Sequence, residues 1–119
     1  MIAAMSIERL HTNQRMSQVV IHGDTVYLAG QVASDNSADV AGQTRQILDR
    51  IDALLAEAGS DKTKVLMATI WLSDISTFNE MNAVWDAWVP EGAAPARACV
   101  ESALATPDYT VEIRVIAAR

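Results

Sequence analysis

The chain has 119 residues, half of them hydrophobic, with only five glycines and three prolines. That is enough for one ordered core and too little for two, so a single domain spanning residues 1–119 is expected. The formal net charge of −6 argues against a nucleic-acid partner, because an acidic surface offers phosphates no counter-charge.

No apolar run reaches the roughly 18 residues a membrane span needs. The opening stretch MIAAMSIERLH has neither a basic n-region nor a long apolar core, which argues against a secretory signal. The lone Cys99 cannot form an intrachain disulfide, which fits a reducing compartment. A cytoplasmic protein with no membrane partner is the expectation.

Taken in chain order, the first third reads as strands. Ile7 to His11 is a short strand, and Ser17 to His22 and Thr25 to Ala29 flank Gly23-Asp24, a two-residue turn that signals a hairpin. Ser34 to Asp39 is a polar loop with Asp39 placed to cap a helix. From Val40 to Ala58 the period changes: Val40, Thr44, Ile47, Leu48, Ile51, Leu54, Leu55 and Ala58 share one helical stripe, with Gln43, Arg45, Gln46, Asp49, Arg50 and Asp52 away from it. Gly59 follows as a natural helix stop.

Lys64 to Leu72 is continuously apolar, the pattern of a strand covered on both faces. A second helix runs from about Thr77 to Trp88, with Ser76 as its cap and Phe78, Met81, Trp85 and Trp88 on its stripe. Two further strands, Ala96 to Ala103 and about Tyr109 to Ala118, close the chain. The order is β-β-β-α-β-α-β-β, an α+β fold with two helices on one face of a six-stranded mixed sheet. The opposite face keeps Val, Ile, Met and Trp with no internal cover, which predicts an oligomer.

The last quarter carries the chemistry. Alternation puts Arg97, Cys99 and Glu101 on one face of the fifth strand, and Glu112 sits among apolar residues of the sixth. A hairpin of these two strands would oppose Glu101 to Glu112, an unfavourable like-charge pair. Either a proton or cation lies between the two carboxylates, or another strand lies between the two strands.

These segments resemble the RidA/YjgF family of imine and enamine deaminases. The match runs through VYLAGQVA (Val26 to Ala33), the helix Val40 to Gly59, VLMATIWLSDISTFNEMNAVWDAW (Val65 to Trp88), PARACVE and VEIRVIA. The resemblance implies a chorismate-mutase-like fold, a homotrimer with ligand clefts between subunits, and a fourth strand flanked by the fifth and the last. It also implies roles residue by residue. Arg97 matches the arginine that grips the substrate carboxylate, and Glu112 the glutamate that positions or activates water. Cys99 lines the pocket, and at Gly30 a backbone group approaches the ligand. Two positions depart: the usual tyrosine is Met16, preceded by Arg15, and the usual serine is Ala29. A phenol and a hydroxyl are thereby lost from the pocket, and Arg15 reads either as an exposed loop charge or as a second cation at its mouth.

Each reading has a plainer competitor. Arg97 could serve as an interface ion-pair partner of Glu101 or Glu112, and Glu112 could be a solvated sheet position. Cys99 has no histidine in its motif to activate a nucleophile. His11 and His22 read as surface residues with no companion ligands, so no metal is expected. Trp71, Trp85 and Trp88 read as core and interface. The function expected is hydrolysis of small 2-imino or enamino acids, such as 2-aminoacrylate or 2-iminopropanoate, to 2-oxo acids and ammonia, without a cofactor. The rivals are a non-catalytic module that senses a small carboxylate, a hydrolase of a carbamate or amide, and, less directly, a protein-interaction role.

Overall fold

The computed structural model describes residues 6–119; residues 1–5, part of the leading stretch read above for a signal, lie outside the described residues. Six strands and two α-helices follow in the expected order: β1 (Ile7–Thr12), β2 (Ser17–His22), β3 (Thr25–Leu28), α1 (Val40–Glu57), β4 (Val65–Leu72), α2 (Phe78–Trp88), β5 (Ala96–Glu101) and β6 (Val111–Ala118). No helix is long and apolar enough to cross a membrane among the described residues.

The sheet order is β1-β2-β3-β6-β4-β5. Only β4 and β5 run parallel; the other neighbours are antiparallel. β4 therefore lies between β5 and β6, pairing Leu72 with Glu101 on one side and Trp71 with Glu112 on the other. This interposed strand resolves the like-charge problem, because the two carboxylates are never opposed. The β2–β3 turn closes between His22 and Thr25, with Gly23 at φ 61° supplying the left-handed residue that the tight reversal needs.

Helix α1 shows how local chemistry sets an element's bounds. The Asp39 carboxylate accepts from the Gly42 N–H at 2.8 Å, a cap that contributes about 1 kcal/mol. At the other end Gly59, at φ 77°, lets its own N–H reach Ala56 O and the Ser60 N–H reach Leu55 O, the paired bonds of a Schellman stop. The stripe between them is buried throughout. Ile47, Ile51 and Leu55 are wholly inaccessible, and truncating any one to alanine costs about 2–5 kcal/mol.

Three expectations need correction. Gln43, read as lying off the stripe, is fully buried. Its amide donates to Asn36 O, Ala38 O and Asp108 O, and its carbonyl accepts from the Thr110 N–H. Helical angle alone had put it outside, but the loop leading into β6 folds over it. Ser76 does not cap α2: it belongs to a short 3-10 turn, Ile75–Thr77, whose own cap is Asp74, and Thr77 precedes α2 with no side-chain cap. β4 is covered on one face only within the chain. Ala68, Ile70 and Leu72 are buried beneath the helices, whereas Met67 is 46% exposed and Leu66, the extra residue at a bulge, is 53% exposed.

The uncovered face is continuous. Register aligns Val20, Tyr27, Ile116, Met67 and, further along, Trp71 and Val100 on the side away from the helices. Tyr27 and Val100 stand more than two-fifths exposed.

Candidate functional site

β5 is an edge strand, and its alternation is as expected: Arg97, Cys99 and Glu101 pair with Ala68, Ile70 and Leu72, whose side chains lie on the helix side. Arg97 reaches the flank of α2. One terminal nitrogen donates to Asn82 Oδ1 at 2.7 Å, and the guanidinium sits 5.3 Å from the Trp85 ring and 5.7 Å from the Phe78 ring. Aromatic faces hold a cation without neutralising it. Within the chain Arg97 pairs with neither Glu101 nor Glu112; the sole ion pair among the described residues joins His11 to Glu57, 2.6 Å apart. Arg97 therefore keeps donors free for an incoming anion.

Glu101 is occupied elsewhere, accepting from the Ile75 N–H at 2.9 Å, so it anchors the turn before α2. Cys99 is half-buried against the core. Burial pushes its thiol above the ordinary value, and the Arg97 charge only partly opposes this. A thiol so placed stays protonated near neutral pH and makes a poor nucleophile.

Glu112 lies on the other face. It pairs with Trp71 of β4, which is offset by an odd number of residues from Ala68, the partner of Arg97. Within one chain Arg97 and Glu112 thus point to opposite sides of the sheet. Burial raises the Glu112 pKa, with no charge to offset it. A half-buried carboxylate of this kind exchanges a proton more readily near neutral pH than an ordinary one.

Gly30 fixes where that carboxylate lies. The residue after it, Gln31, exchanges both backbone hydrogen bonds with Ile113, at 2.8 and 3.1 Å. The Gln31 side chain, 5% exposed, donates to Gln18 Oε1 and Ala29 O. Gly30 is thereby pinned over Glu112: a Cβ at position 30 would lie 2.1 Å from Glu112 Oε2. Ala29 and Gly30, with Ser17, Tyr27 and Arg114, line an open concavity of about 550 Å³ on this face.

Met16 and Arg15 lie in the β1–β2 turn, whose backbone is held by Asn13. The Asn13 Oδ1 accepts from both the Arg15 and Met16 N–H groups. Met16, 41% exposed, directly precedes Ser17 at the rim of the concavity. Arg15 is exposed in the same turn and is not among the residues lining the concavity. Among the described residues no cluster of three His, Cys, Asp or Glu side chains could hold a metal ion.

The candidate residues thus fall in two groups, Arg97 and Cys99 beside α2, and Glu112 with Gly30, Ala29 and the β1–β2 turn on the opposite face. Sequence reading missed Asn82 and Arg114. Arg114 was detectable, since it stands two residues from Glu112 on the same strand face. Asn82 was not, because only the packing of α2 against the β5 edge brings it to Arg97.

Comparison with known proteins agrees on the family. The model of the family described as Endoribonuclease L-PSP matches residues 6–119. The RutC family protein YoaB of Escherichia coli is 46% identical over 114 residues, covering 96% of this chain and 99% of that protein. A solved structure of an uncharacterized protein from Pseudomonas aeruginosa superposes with a TM-score of 0.94 at 47% identity, covering 96% of this chain and 99% of the other. NMB1025 of Neisseria meningitidis, described as a member of the YjgF protein family, has a TM-score of 0.94 at 45% identity, with coverage of 98% and 97%.

Proposed function

The chain belongs to the YjgF/RidA family, to which the RutC proteins also belong, and from that membership and the geometry of Glu112 we propose a hydrolytic deaminase of small 2-imino or enamino acids. The reaction is R–C(=NH)–COO⁻ plus water giving R–CO–COO⁻ plus ammonia. The observation that carries the proposal is a half-buried carboxylate with a raised pKa, lying against Gly30, which lines an open concavity that Glu112 itself does not line.

Arg97 takes the substrate carboxylate, which a planar fork of donors can grip bidentately. That contact fixes the C=N carbon relative to Glu112. Glu112 accepts a proton from water as the oxygen attacks that carbon, and returns a proton to nitrogen as ammonia leaves. Cys99 remains a neutral wall. Imine hydrolysis needs no group beyond these side chains and water.

Because Arg97 and Glu112 face opposite sides of one sheet, they act on one substrate only if different chains supply them. A homotrimer packed through the open sheet faces provides that arrangement, and the exposed Tyr27, Met67 and Val100 supply apolar area for it. The protein is placed in the cytoplasm, where such imines are released by pyridoxal-phosphate enzymes.

The endoribonuclease named in the family description is not carried over, since a net charge of −6 gives an RNA backbone little to hold. A second reading is a non-catalytic sensor of small carboxylates. It is favoured by Met16 and Ala29, which bring no hydrogen-bonding side chain to the cleft. The test generates 2-iminopropanoate in situ and follows 2-oxo acid release with wild type and Arg97→Ala. Acceleration by wild type that the variant loses is expected. No acceleration, with thermal stabilisation by a 2-oxo acid, would establish the sensor instead.

A further inference from the structure

Arg114 is a cation that the reading above does not use. It follows Glu112 by two residues on the same strand face, which places the two about 6–7 Å apart along the strand. Its guanidinium stands 5.7 Å from the Trp71 ring, and Trp71 is the direct cross-strand partner of Glu112. It lines the same concavity as Gly30, Ala29, Ser17 and Tyr27.

No carboxylate among the described residues pairs with Arg114, the sole ion pair being His11–Glu57. Glu112, two residues away on that face, does not pair with it within the chain either. Trp71 lies against the guanidinium through its ring face and leaves its N–H donors to solvent. The concavity thus presents a fork of donors with no carboxylate partner within the chain, one strand repeat from the candidate water-activating carboxylate.

We propose that Arg114 is a specificity-determining residue that receives a second carboxylate, so that the preferred substrates are short 2-imino dicarboxylates. This rests on the deaminase reading for the reaction, with Arg97 holding the α-carboxylate. With the imine carbon at Glu112, the side chain of the substrate runs along β6 toward Arg114. A carboxylate at its end forms a bidentate pair there. An apolar side chain would instead cover the guanidinium and strip its water without replacing the lost hydrogen bonds. Selection therefore comes from both attraction and penalty.

The experiment measures binding first, because binding does not depend on turnover. 2-Oxoglutarate and 2-oxopentanoate, matched in chain length, are titrated calorimetrically into wild type, Arg114→Ala and Arg114→Lys. Wild type should prefer the dicarboxylate by about tenfold or more, the size expected for a charged hydrogen-bonded contact. Arg114→Ala should lose affinity for the dicarboxylate at least about tenfold more than for the monocarboxylate, with partial recovery in Arg114→Lys. Arg114 is exposed in the chain, so its variants should fold, and a melting curve checks that they do.

Equal affinities in wild type, or a preference that survives Arg114→Ala, overturns the proposal. Imine turnover on the same preparations separates this from the deaminase reading. A dicarboxylate preference without hydrolysis supports Arg114 as the selector and refutes the deaminase. Hydrolysis with no such preference does the reverse.

Discussion

Replacing Gly30 with alanine probes the geometry at Glu112 more finely than removing the carboxylate. The added Cβ would lie 2.1 Å from Glu112 Oε2 and 3.0 Å from its Cδ, whereas ordinary contact begins at 3.4 Å. The oxygen must therefore retreat by more than an ångström. Position 30 has no positive φ, so the backbone accepts alanine without strain, and the atom in the way is the end of a flexible side chain. Stability should change by less than about 1 kcal/mol. The carboxylate, however, leaves its position, and a displacement of about 1 Å costs a reaction roughly 100-fold. The assay follows 2-oxo acid release from an imine generated in situ, alongside thermal unfolding. Gly30→Ala should approach the rate of Glu112→Gln while melting like wild type. Full activity in Gly30→Ala, with Glu112→Gln inactive, would refute the claim that the Gly30 backbone sets the position of the carboxylate.

Burial raises the Glu112 pKa, so the rate should fall with decreasing pH through an inflection above the usual carboxylate value of 4.5, and Glu112→Gln should lose that limb. Stability runs in the opposite direction to rate: the folded state holds this proton more tightly, so wild type loses stability relative to Glu112→Gln as pH rises from the unfolded value through the raised pKa, and the difference stops changing with pH below the unfolded value. Chemical denaturation of both proteins across that range measures it. Asn82→Ala frees Arg97 from its 2.7 Å contact and should raise KM by about tenfold or less, with kcat changed less, as steady-state kinetics would show. Gln43→Leu removes four hydrogen bonds of a fully buried amide to part-buried or exposed backbone partners and should cost about 1–3 kcal/mol in urea unfolding.

Much of the fold could be read from local chemistry. The α1 stripe, the Asp39 cap and the Gly59 stop each depend on residues within one or two turns, so the sequence displays them directly. The place of β4 between β5 and β6 was narrowed by the Glu101–Glu112 repulsion and supplied by family resemblance. Gln43 was misjudged because its partners, Asp108 and Thr110, lie far along the chain and approach only when β6 joins the sheet. The opposition of Arg97 and Glu112 was hidden for a related reason. Alternation fixes faces within a strand, but relating β5 to β6 requires both registers against β4. Asn82 is invisible until α2 packs beside the β5 edge. The continuously apolar β4 reads from sequence as covered on both faces, but within the chain only the helix side is covered and Leu66 and Met67 stay exposed.

The proposal that each cleft draws Arg97 from one chain and Glu112 from its neighbour is tested most directly by subunit mixing. Arg97→Ala and Glu112→Gln are prepared separately, each expected to be inactive, then unfolded together in equal amounts, refolded and assayed on 2-iminopropanoate. Random assortment leaves about a quarter of the clefts with both native residues, so roughly that fraction of wild-type activity should return in the mixture and in neither variant alone. A mixture that refolds and assembles yet stays as inactive as its components would contradict a site shared between chains.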